Sequence, residues 1–372
     1  MFSQNIYYDF YRIYRKEVSE EQLHTIVTIM EELPYDIEVV ASNLNIPWAI
    51  AISKDGKVYV TERTGTIRVI NEGKLQPEPL ISLESPFVSR GEGGLLGIAL
   101  DPDFEQNHYI YVMHTYQEGS NLFNRVVRLI EENGKAVLDR VIIDSIPGGS
   151  THDGGRIKIG PDRKLYVATG DAGTATLSQD INSTAGKILR LELDGSIPQD
   201  NPFVNSPVYS LGLRNPQGLT WRDDILYATD HGQFAHDEVD LIKPGLNYGW
   251  PIVEGDEISE GLVSEKAIIH SDRQTWAPSG IAYIDQGPWQ GKLLVAGLAS
   301  KKLLSMSLND SGTEVVEVEN WLTNEYGRLR EVIQAEDGSI YLTTSNRDGR
   351  GFPETKDDRI LRLVPKKLNL DR

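Results

Sequence analysis

His152 lies in a glycine-rich stretch, Gly148-Gly149-Ser150-Thr151-His152-Asp153-Gly154-Gly155, that is too polar and flexible in composition for a buried strand. An imidazole takes up a proton near neutral pH, and a carboxylate beside it orients the ring and stabilises its charged form. Asp171 is the acid that the chain's repeat places beside that ring. The pair suits general-base work; a loop histidine tied to a carboxylate for structure alone is the alternative. Arg214, Arg328 and Arg330 add a second kind of chemistry. Arg328 and Arg330 alternate by two, so on a strand both point to one side. Three arginines gathered at one end of an acidic protein repel one another unless an anion lies between them. That points to a bound polycarboxylate or phosphate, against the alternative of ordinary salt bridges. The run Asp230-His231-Gly232-Gln233-Phe234-Ala235-His236-Asp237-Glu238 has the glycine and acids of a turn that offers backbone carbonyls to Ca²⁺, without EF-hand spacing. An ordinary acidic loop fits it too. His24, His108, His114 and His270 have no partner that can be named and are expected to be structural. No Gly-x-Ser-x-Gly elbow or phosphate-binding loop is present.

These residues are positioned by a repeat. From about residue 37, turn residues followed by an alternating apolar strand recur six times, anchored on Tyr59, Tyr111, Tyr166, Tyr227, Leu294 and Tyr341. The anchors are 47 to 67 residues apart, longer than a two-stranded unit needs and suited to four-stranded blades. The spacing predicts an all-β, six-bladed β-propeller over residues 37–372. A second apolar strand precedes each anchor, as at Trp48–Ile52 and Arg156–Ile159, so each pair reads as an antiparallel hairpin. A hairpin puts the residues before its first strand and after its second at the same end. In the third copy the turn centres near Asp162, with His152 before it and Asp171 after it, and the two become neighbours. By the same count Arg214 and Asn215 share an end with His231 and Gly232. Arg328 and Arg330 share one with Ser345 and Asn346, while Glu62, Arg63 and Glu92 flank their own hairpins. Around one axis all of these groups converge on a single face.

The 372 residues carry a formal charge of −18, so the average field repels nucleic acid and anionic membrane surfaces. No apolar run is long enough to span a membrane. The absence of cysteine excludes disulfides, thiolate metal sites and a cysteine nucleophile. Residues 1–36 read as an N-terminal helical extension. Phe2, Tyr7, Tyr8, Phe10, Tyr11 and Tyr14 form an aromatic stripe, and Ser19 with Gln22 makes a capping box for a helix to about Glu32. The basic, apolar and small-residue segments of an export signal are not found there.

At the site residues the chain resembles the soluble pyrroloquinoline quinone-dependent glucose and aldose sugar dehydrogenases, the glucose/sorbosone dehydrogenases. The likeness runs from about residue 37 to 365. It rests on Gly91-Glu92-Gly93-Gly94-Leu95-Leu96-Gly97 with Asp101-Pro102-Asp103-Phe104, on His152 through Asp171, and on Arg214-Asn215-Pro216-Gln217-Gly218-Leu219. Asp237-Glu238 leading to Asn247-Tyr248-Gly249-Trp250-Pro251 and Arg328-Leu329-Arg330 complete it. The resemblance implies that His152 removes the proton from the sugar C1 hydroxyl, that Asp171 supports it and that Arg214 polarises the quinone oxygen. It implies that Glu92, Asn215, His231, Arg328 and Arg330 contact pyrroloquinoline quinone (PQQ), and that the carbonyls of Gly232 and Gln233 ligate Ca²⁺. It further implies an aldose substrate, a separate electron acceptor and an extracytoplasmic location. Well-known members have Gln in place of Glu92 and His231, and Pro in place of Gln233. A cofactor-contacting lysine expected after the fifth-blade strand falls on Ala299, with Lys301 and Lys302 nearby. Trp276 is the candidate for stacking on a sugar. A non-catalytic propeller that binds carbohydrate or protein through the same face is the main alternative. A six-bladed metal-dependent lactonase, which needs inward Glu, Asn and Asp ligands, is the second.

Overall fold

The computed structural model describes residues 32–366; the N-terminal helix and aromatic stripe expected from the sequence lie outside them. The first strand, β1 (Tyr35–Ala41), belongs to the last blade. Blade 1 is β2 (Pro47–Ile52), β3 (Val58–Glu62), β4 (Thr66–Asn71) and β5 (Lys74–Leu75), with β6 (Ile81–Ser82) against β4. Blade 2 is β7 (Leu95–Leu100), β8 (Tyr109–Glu118), β9 (Asn121–Glu132) and β10 (Lys135–Pro147). Blade 3 is β11 (Ile157–Ile159), β12 (Leu165–Thr169), β13 (Lys187–Leu191) and β14 (Val208–Leu211). Blade 4 is β15 (Gly218–Arg222), β16 (Ile225–Asp230), β17 (Glu238–Ile242) and β18 (Ile269–His270). Blade 5 is β19 (Pro278–Tyr283), β20 (Lys292–Gly297), β21 (Lys302–Leu308) and β22 (Val315–Trp321). Blade 6 is β23 (Leu329–Gln334), β24 (Ile340–Thr344) and β25 (Ile360–Pro365), and β1 completes its outer edge.

The six first strands form a closed ring: β2 neighbours β7, then β11, β15, β19 and β23 follow, and β23 returns to β2. The molecule is a six-bladed β-propeller. The expected hairpins are the two inner strands of each blade, closed by pairs such as Ile52↔Val58, Ile159↔Leu165 and Gln334↔Ile340. Ring closure mixes the two chain ends, because β1 pairs antiparallel with β25 through Ile37↔Leu363 and Val39↔Leu361. This hides a sheet edge that would otherwise be open to pairing.

Each core cluster lies between two blades. Trp48, Tyr59 and Ile67 of blade 1 pack against Leu95, Ile98, Val112 and Val127 of blade 2, and Tyr35 and Leu361 of blade 6 share a cluster with Leu294 and Ala296 of blade 5. Inner strands are therefore covered on both faces, and β3, β12 and β13 are buried at every residue. Outer strand β10 is mostly exposed.

On the axis, Arg156 and Glu331 form a salt bridge in which both side chains are almost fully buried. Arg156 Nε also donates to the Gln217 carbonyl at 2.8 Å, and its guanidinium lies 4.5 Å from the Trp48 ring centroid. Glu331 accepts the Val332 N–H at 3.0 Å. Blades 1, 3, 4 and 6 are thus tied together beneath the end of the ring that carries the loops named above.

Candidate active site

The loops that leave the inner hairpins at this end surround a cavity of about 510 Å³, lined by residues of all six blades. His152, Glu92, Arg214, Asn215, His231, Gly232, Gln233, Arg328 and Arg330 all line it, and Asp171 stands directly behind His152.

His152 Nδ1 is 2.7 Å from Asp171 Oδ1. Asp171 is buried, and burial alone would push its carboxyl up. Hydrogen bonds from His152, from Trp250 Nε1 at 2.9 Å and from the Gly173 N–H at 2.7 Å outweigh burial and hold it below the usual carboxylate range. Asp171 is therefore ionised at neutral pH and can only accept, so Nδ1 carries the proton and Nε2 is left with a free lone pair. The loop is built tightly around this ring. His152 has φ 60°, a left-handed conformation that costs a non-glycine residue roughly 1 kcal/mol or more. Gly170 approaches so closely that a Cβ there would lie 1.9 Å from the His152 carbonyl oxygen.

The arginines are arranged differently from the sequence expectation. They do not simply face one another, because the buried carboxylate of Asp348 stands between Arg328 and Arg330. Arg328 Nε and Nη2 each lie 2.9 Å from Asp348 Oδ2, and Arg330 Nη2 lies 3.3 Å from the same atom. Burial would raise the Asp348 carboxyl, but Arg330 and Arg328 hold it below its ordinary value. Burial also pulls Arg330 down to about 10, with Asp348 opposing the shift. Of the described arginines that line the cavity, Arg214 and Arg63 are left without a carboxylate partner. Neither forms a salt bridge, and the Nε atom of each is buried without a hydrogen-bond partner. Arg214 reaches only the His231 carbonyl, at 3.3 Å, and lies over the Trp250 ring at 5.3 Å.

The remaining expected residues carry structural tasks as well as lining the cavity. Asn215 Oδ1 accepts the Gly154 N–H at 2.9 Å and so joins blade 4 to the His152 loop. His231 Nε2 lies 2.8 Å from the Pro278 carbonyl, and burial pushes the imidazole down to about 3; it is neutral and donates to that carbonyl. The Gly232 N–H donates to Asp237 Oδ1 at 3.1 Å and the Gln233 N–H to Glu254 Oε1 at 2.7 Å, while no protein donor reaches either carbonyl oxygen among the described residues. Asp230 and Asp237 spend their oxygens on backbone N–H groups, those of Arg214 and Asn215 for Asp230 and those of Trp276 and Ala277 for Asp237. No group of three or more His, Asp or Glu side chains is arranged to hold a metal among the described residues.

Ala299 lines the cavity; Lys301 and Lys302 do not. Trp276 is not a free stacking face, since it is 7% exposed and packed in the core between blades 4 and 5. The exposed aromatic at the cavity is Phe234, 84% exposed. Sequence reasoning missed Asp348 and Arg350. Both belong to the irregular loop between β24 and β25, beyond the point at which the hairpin count stops at Asn346.

The family model for glucose/sorbosone dehydrogenase matches residues 44–361. The chain belongs to that family and is a sugar dehydrogenase, an oxidoreductase. It is 31% identical over 340 residues to the aldose sugar dehydrogenase YliI of Escherichia coli, covering 84% of this chain and 91% of that one. It is 32% identical over 305 residues to quinoprotein glucose dehydrogenase B of Acinetobacter calcoaceticus, covering 71% and 64% of the two chains. The PQQ-bound aldose sugar dehydrogenase of Streptomyces coelicolor superposes with a TM-score of 0.80 at 39% identity, covering 89% of this chain and 98% of that structure.

Proposed function

We propose that this protein oxidises the C1 hydroxyl of aldoses to the lactone with PQQ as hydride acceptor and Ca²⁺ at the quinone. The observation that carries the reading is His152, with Nδ1 held by an ionised Asp171 at 2.7 Å and a cavity of about 510 Å³ in front of it. The residues present fit a tricarboxylate quinone: the Nε atoms of the cavity-lining Arg63 and Arg214 are buried and unpartnered, and Arg328 and Arg330 are paired around Asp348. Arg214, Asn215, Arg328 and Arg330 would hold the cofactor, and His231 would border it. The Gly232 and Gln233 carbonyls, which no protein donor reaches, would contribute to the Ca²⁺ shell, with the rest of that shell coming from the cofactor and water. When bound, PQQ supplies a two-electron acceptor for the hydride that leaves C1.

The chain's own work is proton handling and charge stabilisation. His152 Nε2 takes the proton of the C1 hydroxyl as C1 loses hydride, so the sugar loses one H⁺ and one H⁻ and becomes the lactone. Asp171 keeps the ring in the tautomer that leaves Nε2 free and favours the imidazolium that forms. The unpaired guanidinium of Arg214 stabilises negative charge at the reacting oxygen in a partly water-excluded site. A loop-walled cavity of this kind would admit several aldoses rather than one. The partners are then an aldose and a separate electron acceptor.

Reconstitution with PQQ and Ca²⁺, followed by dye reduction across an aldose panel, tests this. Activity on one or more aldoses that requires both PQQ and Ca²⁺ is expected. A protein that binds carbohydrate but reduces no dye under any loading would overturn the reading in favour of a recognition propeller.

A further inference from the structure

Glu92 lines the cavity, where the resemblance sets it against the cofactor, and it is also tied into the His152 loop. Its Oε2 accepts the His152 N–H at 2.8 Å, and its own N–H donates to the Ser150 carbonyl at 3.1 Å. Blade 2 and the His152 loop are therefore clipped together twice within three residues. The approach is so close that a Cβ at Gly91, which has φ 62°, would lie 2.1 Å from the Ser150 oxygen. The second carboxylate oxygen, Oε1, takes Arg350 Nη2 at 2.6 Å. Arg350 comes from the blade 6 loop that also carries Asp348, so a chain of contacts runs from blade 6 through blade 2 to blade 3. Burial opposes ionisation of Glu92, but the His152 N–H and Arg350 hold its carboxyl below the ordinary value.

A left-handed histidine stays in place only where its surroundings over-determine it. Here the ring is held by Asp171 and the carbonyl by the Ala172 N–H at 3.1 Å, both on the loop after β12. The amide is held from outside the blade, by Glu92. We infer that Glu92 is a positioning residue for His152: its carboxylate, aimed by Arg350, sets the backbone angle at which the imidazole meets the cavity. The inference rests on the proposed role of His152 as base, and it assigns to Glu92 a task that needs an acceptor oxygen and not a charge.

Three variants separate this from a direct electrostatic or cofactor-binding role. Glu92→Ala removes the acceptor, Glu92→Gln keeps one, and Arg350→Ala frees the carboxylate while leaving it in place. In the apo-protein, hydrogen exchange of the His152 amide should accelerate about 10-fold or more in Glu92→Ala and stay near wild type in Glu92→Gln, the scale of a lost charge-assisted hydrogen bond. This readout needs no activity, so it stands or falls separately from the assignment of the reaction. In the PQQ- and Ca²⁺-loaded enzyme, Glu92→Ala should lower kcat about 10-fold with KM and PQQ affinity little changed. Glu92→Gln should restore most of kcat, and Arg350→Ala should cost only a few-fold. Unchanged His152 amide exchange in Glu92→Ala would overturn the inference. So would an equal loss of kcat in the Ala and Gln variants, or a loss confined to PQQ affinity. If exchange responds as expected but no variant or wild type oxidises an aldose, the clip is real and the proposed reaction is at fault.

Discussion

Two loops at the same end of the propeller, one in blade 3 and one in blade 4, solve different problems with opposite parts of the chain. The blade 3 loop, residues 148–155 with 170–173, uses side chains: Asp171, Trp250 and Glu92 are spent on holding one imidazole so that one nitrogen stays free. The blade 4 loop, residues 230–238, uses backbone. Its acids Asp230 and Asp237 collect N–H groups, and the carbonyls of Gly232 and Gln233 are what remains. In the proposed reading the first arrangement moves a proton, and the second offers hard oxygen donors to a cation. In that reading a side chain is the reagent in the first, and the backbone is the ligand in the second.

If that division is right, damage to blade 3 should strike turnover and damage to blade 4 should strike loading. The largest effect is expected from His152→Ala, which should keep the fold and bound cofactor and lower turnover about 10²- to 10⁴-fold, the range of a positioned acid–base group. Rapid mixing with sugar and spectroscopic detection of quinone reduction checks it. Asp171→Asn keeps the shape of the side chain but loses the charge that favours the imidazolium, and should cost about 10- to 100-fold in kcat with PQQ affinity retained, by steady-state kinetics and titration. Gly232→Ala is the counterpart in blade 4. A Cβ there would lie 1.8 Å from the Ala235 carbonyl oxygen, so the turn must shift. Ca²⁺ affinity should fall about 10-fold, while the turnover of enzyme saturated with Ca²⁺ stays near wild type, as read by calorimetry and by kinetics at rising Ca²⁺.

The smallest effect is one of pH and stability. Burial pushes the Asp153 carboxyl, beside His152, up to about 7, and its Oδ2 has no partner. A folded-state value above the unfolded one means that the neutral acid favours folding. That contribution is complete below the unfolded value near 4 and is lost as pH rises through about 7. Wild type should therefore lose stability between about pH 4 and pH 7, by about 1 kcal/mol or more, and Asp153→Asn should flatten that slope in guanidinium unfolding. An unchanged slope would mean that Asp153 is not the group responsible.

The same contrast explains what could be read from the sequence. The inner hairpins repeat with fixed geometry, so counting outward from the turn at Asp162 is enough to bring His152 and Asp171 together, and the same count gathers Arg214, Arg328 and Arg330. What the count cannot reach is irregular backbone. Asp348 and Arg350 follow β24 in a loop with no period, so the ion pairs that neutralise Arg328 and Arg330 and steady Glu92 had no signal beyond composition. For Trp276, residue type alone does not tell a stacking face from a core face; the packing of blade 4 against blade 5 decides it. The backbone bonds of Gly232 and Gln233 were equally invisible, since carbonyl direction has no letter in the sequence.

In the proposed reaction C1 of an aldose loses its hydrogen at this cavity. A single-turnover experiment tests it most directly: enzyme loaded with PQQ and Ca²⁺ is mixed with an excess of aldose and with the same aldose deuterated at C1, and quinone reduction is followed by absorbance. Complete reduction that is slower with the deuterated sugar is the expected result. No reduction by any aldose, or reduction at the same rate with both isotopes while chemistry limits the step, would contradict the proposed reaction.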